Sequence, residues 1–189
     1  MREADEKTNN YHKEDKMKTY RILIALMFVF AISAGAFAQE VQIKDETPFT
    51  YAYLECAGSY NMIPAKIGEF MGEFFKQGLI PAGSFFGLYL NSPNEVKEAD
   101  LKWVIGFPVQ NDATVKEPLK KGEFKYEKVA YYLYKGPFDK ANAAYELIFK
   151  FIGENGYRPA GPVMERYLDD PSSTKPEDLR TEIIVPVSK

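Results

Sequence analysis

Residues 129–187 read VAYYLYKGPFDKANAAYELIFKFIGENGYRPAGPVMERYLDDPSSTKPEDLRTEIIVPV, and residues 52–109 read AYLECAGSYNMIPAKIGEFMGEFFKQGLIPAGSFFGLYLNSPNEVKEADLKWVIGFPV. Laid over one another at a spacing of 78, residues 52–109 and 130–187 agree at seventeen of fifty-eight positions without a gap. Ala52-Tyr53 falls on Ala130-Tyr131, Pro81-Ala82-Gly83 on Pro159-Ala160-Gly161, Tyr89-Leu90 on Tyr167-Leu168, and Pro108-Val109 on Pro186-Val187. A gap-free match keeps turns and element lengths together, so the chain reads as an internal duplication.

Each copy has the same local grammar. Tyr51 to Ala57 and Val129 to Lys135 are rich in aromatic and β-branched residues and end at a glycine, which predicts strands. A helix follows: Ile63, Ile67, Phe70, Met71 and Phe74 recur at three- and four-residue steps, as do Ala144, Leu147, Ile148, Phe151 and Ile152. Asp139 is a candidate N-cap for the second helix. Gly78 and Gly156 stand where a left-handed residue would stop each helix, with a proline three residues on. Two more strands complete each unit, Phe85 to Leu90 with Lys102 to Val109, and Val163 to Leu168 with Arg180 to Val187. The predicted fold is α+β, two β-α-β-β units (about 50–109 and 128–188) with antiparallel sheets. A polar bridge over 110–127, with room for a short edge strand, joins them. Two units related by an approximate two-fold axis would carry their helices outside and leave a groove along the seam, a common place for small-molecule sites.

Ahead of the repeats, Met17-Lys18-Thr19-Tyr20-Arg21 is followed by the apolar run Ile22 to Ile32 and by Ala36-Phe37-Ala38. A basic start, a short apolar core and an A-x-A site predict a cleaved export signal, with a membrane span as the alternative. The expected organisation is therefore 1–38 as extension plus signal and 39–189 as the working domain, exported to the periplasm or beyond. Contact with a membrane is expected only through the uncleaved signal. The polar stretch before Met17 suggests that translation starts at Met17 rather than Met1.

Residues 39–189 carry eighteen Lys and Arg against twenty-two Asp and Glu, a net charge of −4, which argues against nucleic acid as a partner. The single histidine, His12, falls in the removed segment, so histidine-based triads and histidine-ligated metals are excluded from the processed chain. The single cysteine, Cys56, makes no internal disulfide and has no neighbour that would activate it; it reads as a buried small hydrophobe. No metal or cofactor is implied.

Against this background Glu182 stands out, a carboxylate within the apolar strand Leu179-Arg180-Thr181-Glu182-Ile183-Ile184-Val185, matched by Val104 in the first copy. A charge there must face water, a partner or a ligand. Glu165 and Tyr167 share a face of the neighbouring strand, and Tyr89 is the counterpart of Tyr167. If one groove face holds all four, Glu182, Tyr167, Tyr89 and Glu165 form an aromatic-walled acidic site suited to a flat cation. The competing readings are an ion pair of Glu182 with Arg180 or Arg166, and ordinary sheet positions for the two tyrosines. Trp103 and the Phe and Met stripe of the first helix read as core.

The pieces Lys135-Gly136-Pro137-Phe138, GYRPAGP (156–162), ERYLDDP (165–171) and LRTEIIVPV (179–187) resemble the GyrI-like small-molecule-binding domain, over about residues 50–188. That domain is also the effector-binding half of some AraC-type and MerR-type regulators. The resemblance implies a tandem βαββ pair with a groove between the copies and a bulky, cationic, aromatic ligand. It also implies that the family's acidic residue falls on Glu182 and its strand tyrosine on Tyr167. Some members hydrolyse cyclopropane-bearing toxins. Here no helix-turn-helix segment is expected ahead of the domain. Three functions compete: an exported binder of amphipathic or cationic compounds, a cofactor-free hydrolase using Glu182 and Tyr167, and a peptide- or protein-interaction module.

Overall fold

The computed structural model describes residues 40–189; the expected signal and the start site lie outside the described residues. Residues 39–189 make one compact unit. The strands are β1 (Gln42–Asp45), β2 (Phe49–Ala57), β3 (Phe86–Tyr89), β4 (Lys102–Pro108), β5 (Lys120–Phe124), β6 (Lys128–Lys135), β7 (Arg158–Pro159), β8 (Val163–Tyr167) and β9 (Arg180–Ser188). The helices are α1 (Ile63–Lys76) and α2 (Asn142–Glu154). No helix among the described residues is long and apolar enough to cross a membrane.

All pairings are antiparallel, in the order β1-β6-β9-β8-β3-β4-β2-β5, with β7 added to β9. The two β-α-β-β units are therefore adjacent halves of one continuous sheet, joined through β3 and β8. The register at that seam sets Gly87 opposite Glu165 and Leu88 opposite Met164. Gly87 and Glu165 are each other's counterparts at the 78-residue spacing, so an approximate two-fold axis passes through this pair. Turns obey the same spacing: 3₁₀ turns occur at Tyr60–Met62 and Phe138–Lys140, and again at Glu98–Asp100 and Pro176–Asp178.

Both helices end as their glycines predict. Gly78 and Gly156 have φ of 71° and 72°, and the amides beyond them reach back, Leu79 to the Phe74 carbonyl and Tyr157 to the Ile152 carbonyl. This is the Schellman arrangement, satisfying carbonyls that the helix itself leaves free. Asp139 does not cap α2. It belongs to the preceding 3₁₀ turn, and the cap position falls to Ala141 with no side-chain bond. Leu147, expected in the apolar stripe, is half exposed; Ala144, Ile148 and Ile152 make the buried face.

Both helices cover the same face of the sheet. Phe70 and Phe74 of α1 pack on Leu54, Trp103 and Ile105, and Ile148 and Ile152 of α2 pack on Ala130, Ile183 and Val185. Trp103 is core, as expected, with its indole N–H donating to the Gly58 carbonyl at 3.2 Å. Cys56 is buried, and burial raises its thiol to about 11.

The other face has a core of its own, built from Phe86, Leu88, Val104, Phe124, Val129, Met164 and Ile184. Chain length explains why. β1 and β2 stand six places apart in the sheet, as do β6 and β5, roughly 29 Å if flat at ~4.8 Å per strand. Yet only residues 46–48 join the first pair and 125–127 the second, each able to span about 14 Å fully extended. The sheet must curl so that its ends approach, and the backbone bond from the Glu46 amide to the Glu127 carbonyl (2.8 Å) ties the two joining segments together. The helices thus lie outside the curl, and the second core lies inside it. Neither β1 nor the curl is evident from periodicity, because β1 is short and mostly exposed.

Candidate functional site

At the seam, on the helix-bearing face, one carboxylate sits among phenols. Glu165 of β8 accepts from Tyr145 of α2 at Oε1 (2.5 Å), and from Tyr167 of β8 (2.6 Å) and Tyr89 of β3 (3.1 Å) at Oε2. The Tyr89 and Tyr167 hydroxyls are 3.1 Å apart. Hydrogen bonds to an ionised acceptor are short and strong, and these three take up most of the capacity of the carboxylate. Among the described residues no lysine or arginine pairs with it, so its charge is hydrogen-bonded but not neutralised.

The frame around the acid is nearly symmetric. Tyr60 lies edge-on to Tyr89 with centroids 5.4 Å apart, and Phe138, its counterpart, lies edge-on to Tyr167 at the same distance. Phe85 stacks on Tyr167 at 6.0 Å. The symmetry breaks on the axis itself, where one unit supplies Glu165 and the other Gly87. A Cβ at Gly87 would lie 3.4 Å from the Tyr89 hydroxyl and 3.6 Å from that of Tyr167. A longer side chain there would occupy the space in which the hydroxyls reach the carboxylate. Tyr145 completes the asymmetry, since its counterpart is Ile67.

The electrostatics follow from burial and from the single charge. Tyr89 and Tyr145 are held well above the ordinary phenol range by burial and then by the Glu165 charge. Tyr167 is raised by burial, then by Tyr89 and Glu165, and Tyr60 by burial and Glu165. All four remain neutral donors under ordinary conditions. Thr181, beside Tyr167 in the β8–β9 register, is buried, and its hydroxyl has no partner among the described residues.

Glu182 does not belong to this cluster. The β8–β9 register sets it opposite Arg166, whereas Glu165 stands opposite Ile183. Directly opposed residues share a face and neighbours along a strand alternate, so Glu182 projects into the curl, away from Glu165, Tyr167 and Tyr89. There Arg166 donates to Glu182 (2.9 Å) and to Glu46 (2.5 Å), and Tyr131 donates to Glu182 (3.1 Å). The ion pair with Arg166, one of the competing sequence readings, is what the structure shows. It fastens the segment between β1 and β2 to the middle of the sheet. Of the four residues expected to share a groove face, three meet and one does not. Tyr145 and Tyr60 join them instead. The signal for both was present in the aligned copies, as a tyrosine facing inward where α1 has Ile67, and as an aromatic pair, Tyr60 and Phe138, at one repeat position.

Residues 39–188 match the GyrI-like small molecule binding domain, and the chain belongs to that family. Among solved structures, the EcmrR C-terminal domain superposes with a TM-score of 0.72 at 19% identity, covering 81% of this chain and 99% of that one. A hydrolase from Listeria innocua superposes at 0.58 with 14% identity, covering 84% and 96%. SAV2435 bound to tetraphenylphosphonium superposes at 0.51 with 17% identity, covering 79% and 94%. These likenesses establish the fold. No curated protein matches the chain.

Proposed function

We propose that this protein binds lipophilic organic cations at the seam, with Glu165 as the counter-charge and Tyr60, Tyr89, Tyr145, Tyr167 and Phe138 as the aromatic walls. The observation that carries the reading is the Glu165 carboxylate, held by three phenols and, among the described residues, by no cation. A quaternary or delocalised cation has no hydrogen to exchange for lost water, so it gains from an unneutralised charge and from ring faces together. Family membership supports small-molecule binding in general, and the tetraphenylphosphonium complex of SAV2435 supports this ligand class. The hydroxyls crowd around the carboxylate. A bulky cation therefore reaches it only if Tyr60 or Phe138, each on a short 3₁₀ turn, swings aside; Phe138 is already 43% exposed. The export signature read from the sequence supports a role outside the cytoplasm, as sequestration or presentation of such compounds. Titration of the 39–189 protein with tetraphenylphosphonium tests the reading: saturable one-to-one binding is expected, and no binding at millimolar concentration would reject it.

The same atoms support one further reading. Glu165 and Tyr167, 2.6 Å apart, could serve as base and acid in a hydrolysis, the reaction class of the Listeria innocua neighbour, and the family resemblance suggests a strained ring as the substrate. Glu182 and Tyr167 could not, because they lie on opposite faces of the sheet. Product formed from a cyclopropane-bearing substrate, and lost in Glu165→Gln, would favour hydrolysis over binding.

A further inference from the structure

A hollow of about 190 Å³ opens inside the curl, on the opposite face of the sheet from Glu165. Its floor is Leu88 and Val104, and its walls are Tyr51, Tyr53, Phe124 and Tyr126. The Tyr51 and Tyr53 rings lie 5.3 Å apart, as does Tyr51 from Phe86; Tyr126 meets Phe124 edge-on at 5.1 Å. Two of these rings are seated directly on backbone. A Cβ at Gly122 would lie 2.7 Å from the Tyr51 ring, and one at Gly161 would run into the Tyr126 ring, so glycine at both places is what lets the walls stand where they do. None of the Tyr51, Tyr53 and Tyr126 hydroxyls has a hydrogen-bond partner among the described residues. Tyr51 is raised to about 12, by burial first and then by Tyr53 and Tyr126. At the rim, Glu55 is paired with Lys120, and Glu123 and Lys125 bring opposite charges.

We infer that this hollow is a second binding site, for a compact monocyclic phenol, separate from the cation site and independent of it. Size sets the first limit. At the packing density of protein interiors, ~0.75, the space holds roughly ten non-hydrogen atoms, one substituted ring, and an apolar cavity of about 150 Å³ already takes benzene. The multi-ring cations suited to the seam are too large. Chemistry sets the second limit. Three hydroxyls that can each donate and accept complement a ligand hydroxyl that does the same, and rim charges of both signs give no net pull on an anion or a cation. β3 separates the sites by one strand, with Gly87 and Tyr89 facing the acid and Leu88 facing the hollow.

The test uses 4-fluorophenol as probe, followed by ¹⁹F NMR with the 39–189 protein. A saturable shift is expected, weakened at least tenfold by Leu90→Trp, which blocks the mouth from a position 51% exposed and so spares the fold. Tyr53→Phe, which removes one hydroxyl and keeps the ring, should weaken it several-fold, and Glu165→Gln should leave it unchanged. Absence of saturation would overturn the inference. So would a shift that survives Leu90→Trp but is lost in Glu165→Gln, because the phenol would then be occupying the cation site.

Discussion

Replacing Glu165 with glutamine removes one charge and almost no volume, which makes it the sharpest perturbation of the seam. In the wild-type protein a bound cation about 4 Å from the carboxylate would gain roughly 4 kcal/mol at an effective dielectric near 20. The carboxylate must first give up part of its bonding to Tyr89, Tyr145 and Tyr167, and the cation must shed water, so about 2–4 kcal/mol should survive as affinity. Glu165→Gln should therefore weaken a lipophilic phosphonium or ammonium ion about 30-fold to 1000-fold, while a neutral compound of the same shape loses little. Stability should change by no more than about 1–2 kcal/mol, because the amide oxygen still accepts from the phenols and the half-buried charge removed has no cationic partner among the described residues. Calorimetric titration with matched charged and neutral ligands, beside thermal unfolding, reads both quantities. A loss under threefold, or an equal loss for both ligands, would refute the claim that charge holds the ligand.

Glu182→Gln should behave in the opposite sense: cation affinity unchanged, and stability lowered by about 1–3 kcal/mol, since Arg166 keeps only Glu46 as an ionised partner; thermal unfolding and the same titration check this. Thr181→Val should be neutral or stabilising by up to about 1 kcal/mol in denaturant unfolding, because it removes a buried hydroxyl without a partner; a clear loss would reveal a bond to that hydroxyl. Stability should fall as pH rises from about 10 toward 12. Tyr51 and Tyr131 ionise near 12 in the folded protein, so the unfolded chain releases those protons first, and the stability they carry is whole below pH 10. Alkaline unfolding with phenolate absorbance at 295 nm, read as the difference between wild type and Tyr51→Phe or Tyr131→Phe, tests this, and a Tyr51 or Tyr131 phenolate formed at pH 10 in the folded protein would contradict it. Residues 39–127 alone should aggregate or pair with themselves, having lost β8 from the edge of β3; a stable monomer would count against the seam as a structural necessity.

The two β-α-β-β units were legible because their information is local: strand composition, a 3.6-residue stripe, and glycine at each helix end. The site was only half legible, and the reason is parity. Alternation along β8 correctly put Glu165 with Tyr167, and alternation along β9 correctly put Glu182 with Arg180. Whether Glu182 joins Glu165 depends on how β8 and β9 are offset, and a shift of one residue exchanges the faces. No single strand carries that offset. An acid in an apolar strand drew attention to Glu182, yet it is partnered by Arg166, which also donates to Glu46, a residue 120 positions away from that arginine. Tyr145 escaped because it lies outside the apolar stripe read for α2 (Ala144, Leu147, Ile148, Phe151 and Ile152), where periodicity does not mark it. Its difference from Ile67 mattered more than its hydrophobicity.

The most direct measurement is the crystal structure of the 39–189 protein with a bound lipophilic cation carrying a heavy atom. The account predicts the positive centre within about 5 Å of the Glu165 carboxylate, between the rings of Tyr60 and Phe138 on the helix-bearing face. A cation lodged inside the curl beside Glu182, with the Glu165–tyrosine cluster undisturbed, would contradict it.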